Sequence, residues 1–162
     1  MVTLIGMGSG KWEALSAQAQ QAVRSAGLVF GAKRLLAGLP ADCMARQFAL
    51  YQPADILETL AQNSGQDAAV LYSGDTGFYS GASGLLTPLR ALGIPARVYP
   101  GVSSIQLLSA ALGRPWQDWK LVSAHGCACD PVAECMMNRS VFFLTGGTET
   151  CLLYTSDAAD DG

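Results

Sequence analysis

The stretch Ala68-Ala69-Val70-Leu71-Tyr72-Ser73-Gly74-Asp75 decides the fold. Its first five residues are apolar or aromatic without polar alternation, which is what a strand buried on both faces requires. Burial on both faces occurs in parallel sheets covered by helices. The run stops at Ser73-Gly74-Asp75, whose residue types favour turns. Beyond the turn, Leu85, Leu86, Leu89 and Leu92 recur at helical spacing, with Gly93 placed to cap the helix and Pro88 as an irregularity inside it. A buried strand, a glycine turn and an amphipathic helix make one βα unit.

Working outward, the same unit repeats in kind. Upstream, Val2–Ile5 is an apolar run ending in Gly6. Glu13–Ala26 keeps Leu15, Ala19, Ala22, Val23 and Ala26 on one helical face, with Gly27 as its cap. Leu28–Phe30 reads as a strand, Ala32–Leu39 as a short helix and Arg46–Leu50 as a strand. Pro53 opens a helix whose inner face is Ile56, Leu57, Leu60 and Ala61, and Gly65 lies past its end. Downstream, strand Ala96–Tyr99 turns through Pro100-Gly101 into helix Ser104–Leu112, closed by Gly113. After a connector at 114–119, strand Lys120–Ala124, helix Pro131–Asn138 and strand Ser140–Leu144 follow. The expected fold is α/β, a mostly parallel sheet flanked by helices over residues 1–113, with the start of a second α/β domain over 120–150.

Composition narrows the function classes. Of 162 residues, half are hydrophobic and 14% are charged, too few charges for a protein that coats nucleic acid. No apolar run reaches the roughly 20 residues of a membrane span, and the N-terminus lacks the pattern of a signal peptide, so the cytoplasm is the default location. Five cysteines are present, and Cys127, Cys129 and Cys135 lack the paired spacing of a structural zinc site. No metal is expected. Residues 151–162, CLLYTSDAADDG, match a translated transposase sequencing adapter over Cys151 to Asp161 and are expected not to be native. They hold Asp157, Asp160 and Asp161 of the 13 acidic residues, so residues 1–150 balance 10 acidic against 10 basic side chains. The net charge of −3 therefore says nothing about partners.

Three loops follow strands at the edge where open α/β sheets bind ligands. Gly6-Met7-Gly8-Ser9-Gly10 lets a backbone come close to a ligand, or makes a plain tight turn; Lys11 breaks the G-x-G-x-x-G dinucleotide fingerprint. Ser73-Gly74-Asp75-Thr76-Gly77-Phe78-Tyr79-Ser80-Gly81 adds two aromatics that either cover a flat ligand or pack beneath the loop. Pro100-Gly101-Val102-Ser103-Ser104 puts two hydroxyls at a helix start, where Ser103 suits the N-cap.

Together GMGSG (6–10), GAKRLL (31–36), YSGDTGFYSGASGLL (72–86), YPGVSSIQLLSAALGRPW (99–116), LVSAHG (121–126) and VFFLTGG (141–147) resemble the tetrapyrrole methylases. They are most similar to the precorrin and cobalt-precorrin C5-methyltransferase branch of cobalamin biosynthesis. The resemblance runs from residue 2 to about 147. It implies an enzyme that binds S-adenosyl-L-methionine between two α/β domains and methylates a meso carbon of a precorrin. Carried over by position, the cofactor set is Gly8, Ser9, Gly74, Asp75, Phe78, Ser103, Ser104 and Thr145. Lys33, Arg34 and Arg114 are expected anion partners for substrate carboxylates, and His125, in Ser-Ala-His-Gly, a substrate contact. No catalytic base is assigned. A homo-oligomer and a fused C15-methylating domain are compatible with the resemblance. The first loop departs from the usual G-x-G-P-G-D at Ser9 and Lys11, and the second from GDP at Thr76; both lost prolines would have preset backbone angles. Rival readings are a tetrapyrrole methylase acting at another ring position, a non-catalytic nucleotide-binding module, and an inactive fragment.

Overall fold

The structure is a computed structural model and describes residues 1–124 and 129–145. Two compact units divide the chain, one over Met1–Leu107 and the other beginning at Leu108.

The first unit is built on five strands, β1 (Val2–Gly6), β2 (Leu28–Phe30), β3 (Arg46–Phe48), β4 (Ala68–Tyr72) and β5 (Ala96–Tyr99). Every pairing is parallel, in the order β3-β2-β4-β1-β5. The two central strands, β1 and β4, pair from Val2 with Ala68 to Gly6 with Tyr72. Both are buried along almost their whole length, which explains their unbroken apolar sequence.

Helices cover both faces of this sheet. Helices α1 (Ala17–Ser25) and α2 (Lys33–Leu36) set Ala19, Val23, Leu35 and Leu36 against Ile5, Val29, Ala69 and Leu71. On the opposite face, α3 (Pro53–Gln62) and α4 (Ala82–Ala91) bring Ile56, Leu60, Leu85 and Leu89 onto Val2, Leu4, Phe30 and Val70. Successive residues of β1 thus serve opposite cores, as a pleated strand dictates.

The sequence reading misplaces four features. The helix expected over Glu13–Ala26 is broken: Trp12–Ala14 closes as a 3-10 turn, and α1 starts later, where the Ser16 hydroxyl accepts from the Ala19 N–H at 3.2 Å. Gly27 is not its cap, because Ala26 ends the helix in an extended conformation. Leu92, expected inside, is 64% exposed, since α4 ends at Ala91 and Gly93 takes the left-handed φ of +65° that stops it. Ala61 is likewise exposed. Pro88 lies inside α4 without ending it.

Helix α5 (Ser104–Leu112) spans the boundary between the units and ends before Gly113, at φ +60°. In the second unit, β6 (Lys120–Ala124) pairs in parallel with β7 (Val141–Thr145), joined through α6 (Pro131–Met137). The Asp130 carboxylate caps α6 by accepting from the Ala133 N–H at 3.1 Å. No helix among the described residues is long and apolar enough to cross a membrane.

Leu85 is fully buried between α4 and the sheet. Leu85→Ala should cost about 3 kcal/mol in urea unfolding. A loss below about 1 kcal/mol would mean that α4 does not pack on the β1–β4 core as described.

Candidate functional site

Strand order fixes where a ligand can sit. From β1 the chain crosses one face, through α1, to β2; from β4 it crosses the other face, through α4, to β5. The loops leaving β1 and β4 therefore diverge to opposite faces and open a crevice between neighbouring strand ends. This is the topological switch point of a doubly wound sheet.

At that crevice the backbones approach closely. The Gly8 N–H donates to the Gly74 carbonyl at 3.0 Å, and the Gly74 N–H returns the bond to the Gly8 carbonyl at 3.0 Å. Both glycines have left-handed φ values, +55° and +63°, which other residues adopt only with strain. The loop after β5 joins them. A Cβ on Gly6 would lie 2.5 Å from the Gly101 nitrogen and 2.7 Å from the Gly74 oxygen. A Cβ on Gly101 would collide with Gly74 and Gly6 backbone atoms. Three strand-end loops thus meet where no side chain fits.

Asp75 fastens the arrangement. One carboxylate oxygen accepts from the Gly77 N–H at 3.0 Å, within its own loop, and the other from the Gly101 N–H at 3.1 Å. With prolines absent at positions 9 and 76, hydrogen bonds set these loops: the Gly10 N–H also donates to the Met7 carbonyl at 2.8 Å.

Beside this junction lies an open cavity of about 410 Å³, lined among others by Gly8, Ser9, Leu15, Gly101, Val102 and Gln106. That volume falls within the range of small-molecule sites. The glycine-lined wall and lack of a charged lining side chain suit a ligand that needs close backbone contact.

Of the residues singled out from sequence, Gly8, Gly74, Asp75 and Ser103 come together here, and Gly8 and Ser9 line the cavity. Ser103 occupies the N-cap position of α5 and is buried, but its hydroxyl donates to the Gln106 side chain at 3.0 Å. The Ser103 N–H donates to the same Gln106 oxygen at 2.8 Å. Ser104, next to it, is exposed. Phe78 meets Tyr79 edge to face, ring centres 4.9 Å apart, and Tyr79 holds a left-handed φ of +46°, rare for a non-glycine residue.

Adjacent basic residues of α2 differ in placement. Arg34 reaches the β4 loop and donates to the Ser73 hydroxyl, whereas Lys33 is exposed at the helix start. Arg34 forms no ion pair among the described residues. Thr145 is the exposed last residue of β7 and Arg114 is exposed, both in the second unit. His125, like residues 151–162, lies outside the described residues.

Sequence reasoning missed Gly6, Gly101 and Gln106 as site-forming residues. Gly6 and Gly101 lay in loops already marked as candidates, but a strand-end glycine is equally consistent with an ordinary turn, so neither was assigned to the site. Gln106 did carry a signal, because Ser103-x-x-Gln106 has capping-box spacing. Burial pushes the Tyr72 phenol up from its ordinary 10.0 to about 12.

With the geometry in place, comparison with known proteins is specific. A family model of the tetrapyrrole (corrin/porphyrin) methylases matches residues 1–156. The cobalt-precorrin-7 C(5)-methyltransferase of Salmonella typhimurium is 33% identical over 147 residues, 90% of this chain and 71% of the relative. A probable cobalt-precorrin-7 C(5)-methyltransferase of Methanocaldococcus jannaschii is 31% identical over 132 residues, 78% of this chain and 61% of the relative. In fold, the chain is similar to the crystal structure of a precorrin-6Y methylase from Archaeoglobus fulgidus. That match has a TM-score of 0.64 at 22% identity and covers 89% of this chain and 72% of the other.

Gly101→Ala should destabilise the first unit by about 2–3 kcal/mol in chemical unfolding, because its new methyl group meets backbone rather than a yielding side chain. A cost below about 0.5 kcal/mol would mean that the three loops are not in contact.

Proposed function

Because the chain belongs to the tetrapyrrole (corrin/porphyrin) methylase family, we propose that it transfers a methyl group from S-adenosyl-L-methionine to the C5 meso carbon of a precorrin or cobalt-precorrin in cobalamin biosynthesis. The observation that carries this reading is the meeting of three glycine-bearing loops at the β1–β4 switch point, next to a cavity of about 410 Å³. The two curated relatives described above favour C5 over other ring positions.

S-adenosylmethionine supplies an electrophilic methyl group on sulfur, and a reduced tetrapyrrole offers an electron-rich, enamine-like carbon to receive it. The protein is then left with binding, alignment and exclusion of water, the work of proximity. Gly8, which lines the cavity, lets the cofactor come close to the backbone, and Gly74, also of the proposed cofactor set, holds Gly8 in place through their paired hydrogen bonds. Asp75 holds the β4 and β5 loops in register through its bonds to Gly77 and Gly101. Ser9, Phe78, Ser103, Ser104 and Thr145 are the remaining residues of the proposed cofactor set.

Tetrapyrrole substrates carry several carboxylates, so the substrate side needs cations. Arg34 suits that task best, because its guanidinium reaches the β4 loop and has no acidic partner among the described residues. Lys33, Arg114 and His125 are secondary candidates. The reading takes the enzyme as cytoplasmic and is compatible with a homo-oligomer and with a fused C15-methylating domain.

The deciding experiment incubates the protein with methyl-labelled S-adenosylmethionine and a precorrin or cobalt-precorrin and locates the new methyl group by NMR. Label at C5 is expected; transfer to another ring position would replace the regiochemistry, and no transfer with no cofactor binding would reject the reading.

Arg34→Gln should raise the tetrapyrrole KM about tenfold, the effect of losing one charge-assisted contact, while S-adenosylhomocysteine affinity stays unchanged. An unaltered KM would remove Arg34 from the substrate site.

A further inference from the structure

Gln106 lies in the first turn of α5 and lines the cavity beside the three-loop junction. Its Oε1 accepts from the Ser103 N–H at 2.8 Å and from the Ser103 hydroxyl at 3.0 Å. A backbone N–H only donates, so the atom facing it must be the carboxamide oxygen. That choice removes the ambiguity of an amide flip and fixes Nε2 on the far side of the group. Ser103 is buried, 4% exposed, which makes it a rigid anchor. Nε2 itself makes no hydrogen bond to a described residue.

The rest of the cavity wall sharpens the point. Ser16 accepts from the Ala19 N–H as the cap of α1, and Ser9 sits exposed on the first loop. Among the described residues lining the cavity, only Gln106 carries side-chain N–H donors.

We infer that Gln106 is a cofactor-binding residue, which presents the two N–H donors of its Ser103-anchored amide to acceptor atoms of S-adenosylmethionine in this cavity. The inference rests on the cofactor reading above and adds to it a recognition element. Ser103, itself in the proposed cofactor set, then also positions Gln106 through these two bonds. A neutral amide suits this ligand: it satisfies acceptor oxygens or nitrogens without placing a second positive charge near the sulfonium.

The test exploits the two ends of the side chain. Gln106→Glu keeps an acceptor for the Ser103 N–H and hydroxyl, since glutamate and glutamine serve equally in a capping box. It replaces the two N–H donors with an acceptor. S-adenosylhomocysteine, a thioether without the sulfonium charge, is the probe, so the added carboxylate gains no attraction to a sulfonium.

Calorimetry on the wild-type chain and on Gln106→Glu should show affinity at least about tenfold weaker in the variant, as expected for lost donors facing an acceptor, with Tm nearly unchanged. Gln106→Met, which lacks both acceptor and donors, should lose binding to a similar degree and lose stability as well. Binding by either variant within about twofold of wild type, beyond the scatter of a single contact, would overturn the inference and leave the cofactor reading intact. A wild-type chain that does not bind S-adenosylhomocysteine would overturn both.

Discussion

The close approach of Gly6, Gly74 and Gly101 is the constraint on which the rest of the site depends. Any side chain at Gly6 or Gly101 would push apart loops that belong to three different strands. Because none is present, the Gly8–Gly74 bond pair extends the contact of β1 and β4 beyond the sheet, and the Asp75 carboxylate spans from the β4 loop to the Gly101 N–H. The cavity lies beside the same junction, and Gly6, Gly8 and Gly101 form part of its wall. Sheet topology chose the place, and glycine made it accessible.

The elements most legible in the sequence were those whose burial leaves no alternative. Strand β4, Ala68–Tyr72, and helix α5, Ser104–Leu112, have the bounds that the residue pattern gave. Both are delimited by residues with a strong physical preference, Ser73-Gly74-Asp75 for one and Gly113 for the other. Legibility failed where apolar spacing ran on past the true end of an element. Leu92 keeps the period of Leu85 and Leu89 but lies beyond the last helical residue, so it faces solvent. Leu15 keeps the period of Ala19 and Ala22 too, yet the 3-10 turn at Trp12–Ala14 and the cap at Ser16 set the helix onset instead. Periodicity reports which face is apolar; local hydrogen bonds decide where the helix starts and stops.

The site was legible as a set of loops and not as a set of roles. Sequence put Lys33 and Arg34 on equal terms as cations. Their Cα–Cβ directions on α2 differ by one helical step, and only Arg34 reaches the β4 loop. Asp75 was marked by its flanking glycines, yet its work is to bind two backbone N–H groups, a task that depends on Gly101, 26 residues away. Such long-range pairings leave no periodic trace. Gln106 is the intermediate case: its spacing from Ser103 was readable, but the cavity on its far side was not.

Charge decides what kind of donor this cavity can use. A unit positive charge held about 4 Å from a sulfonium would cost about 4 kcal/mol at the effective dielectric of a protein surface. That exceeds the roughly 1 kcal/mol net gain of an ordinary hydrogen bond. With the sulfonium seated at such a distance from position 106, as the proposed cofactor site would have it, a lysine or arginine there would lose more by repulsion than it gained by donation, whereas a carboxamide would keep the donation alone. Arg34 is consistent with this division: it is not among the residues lining the cavity, and its guanidinium is engaged with Ser73. Cofactor and substrate carry opposite charges in the proposed reaction, so neutral donors on one side and a cation on the other would sort them before any methyl group moves.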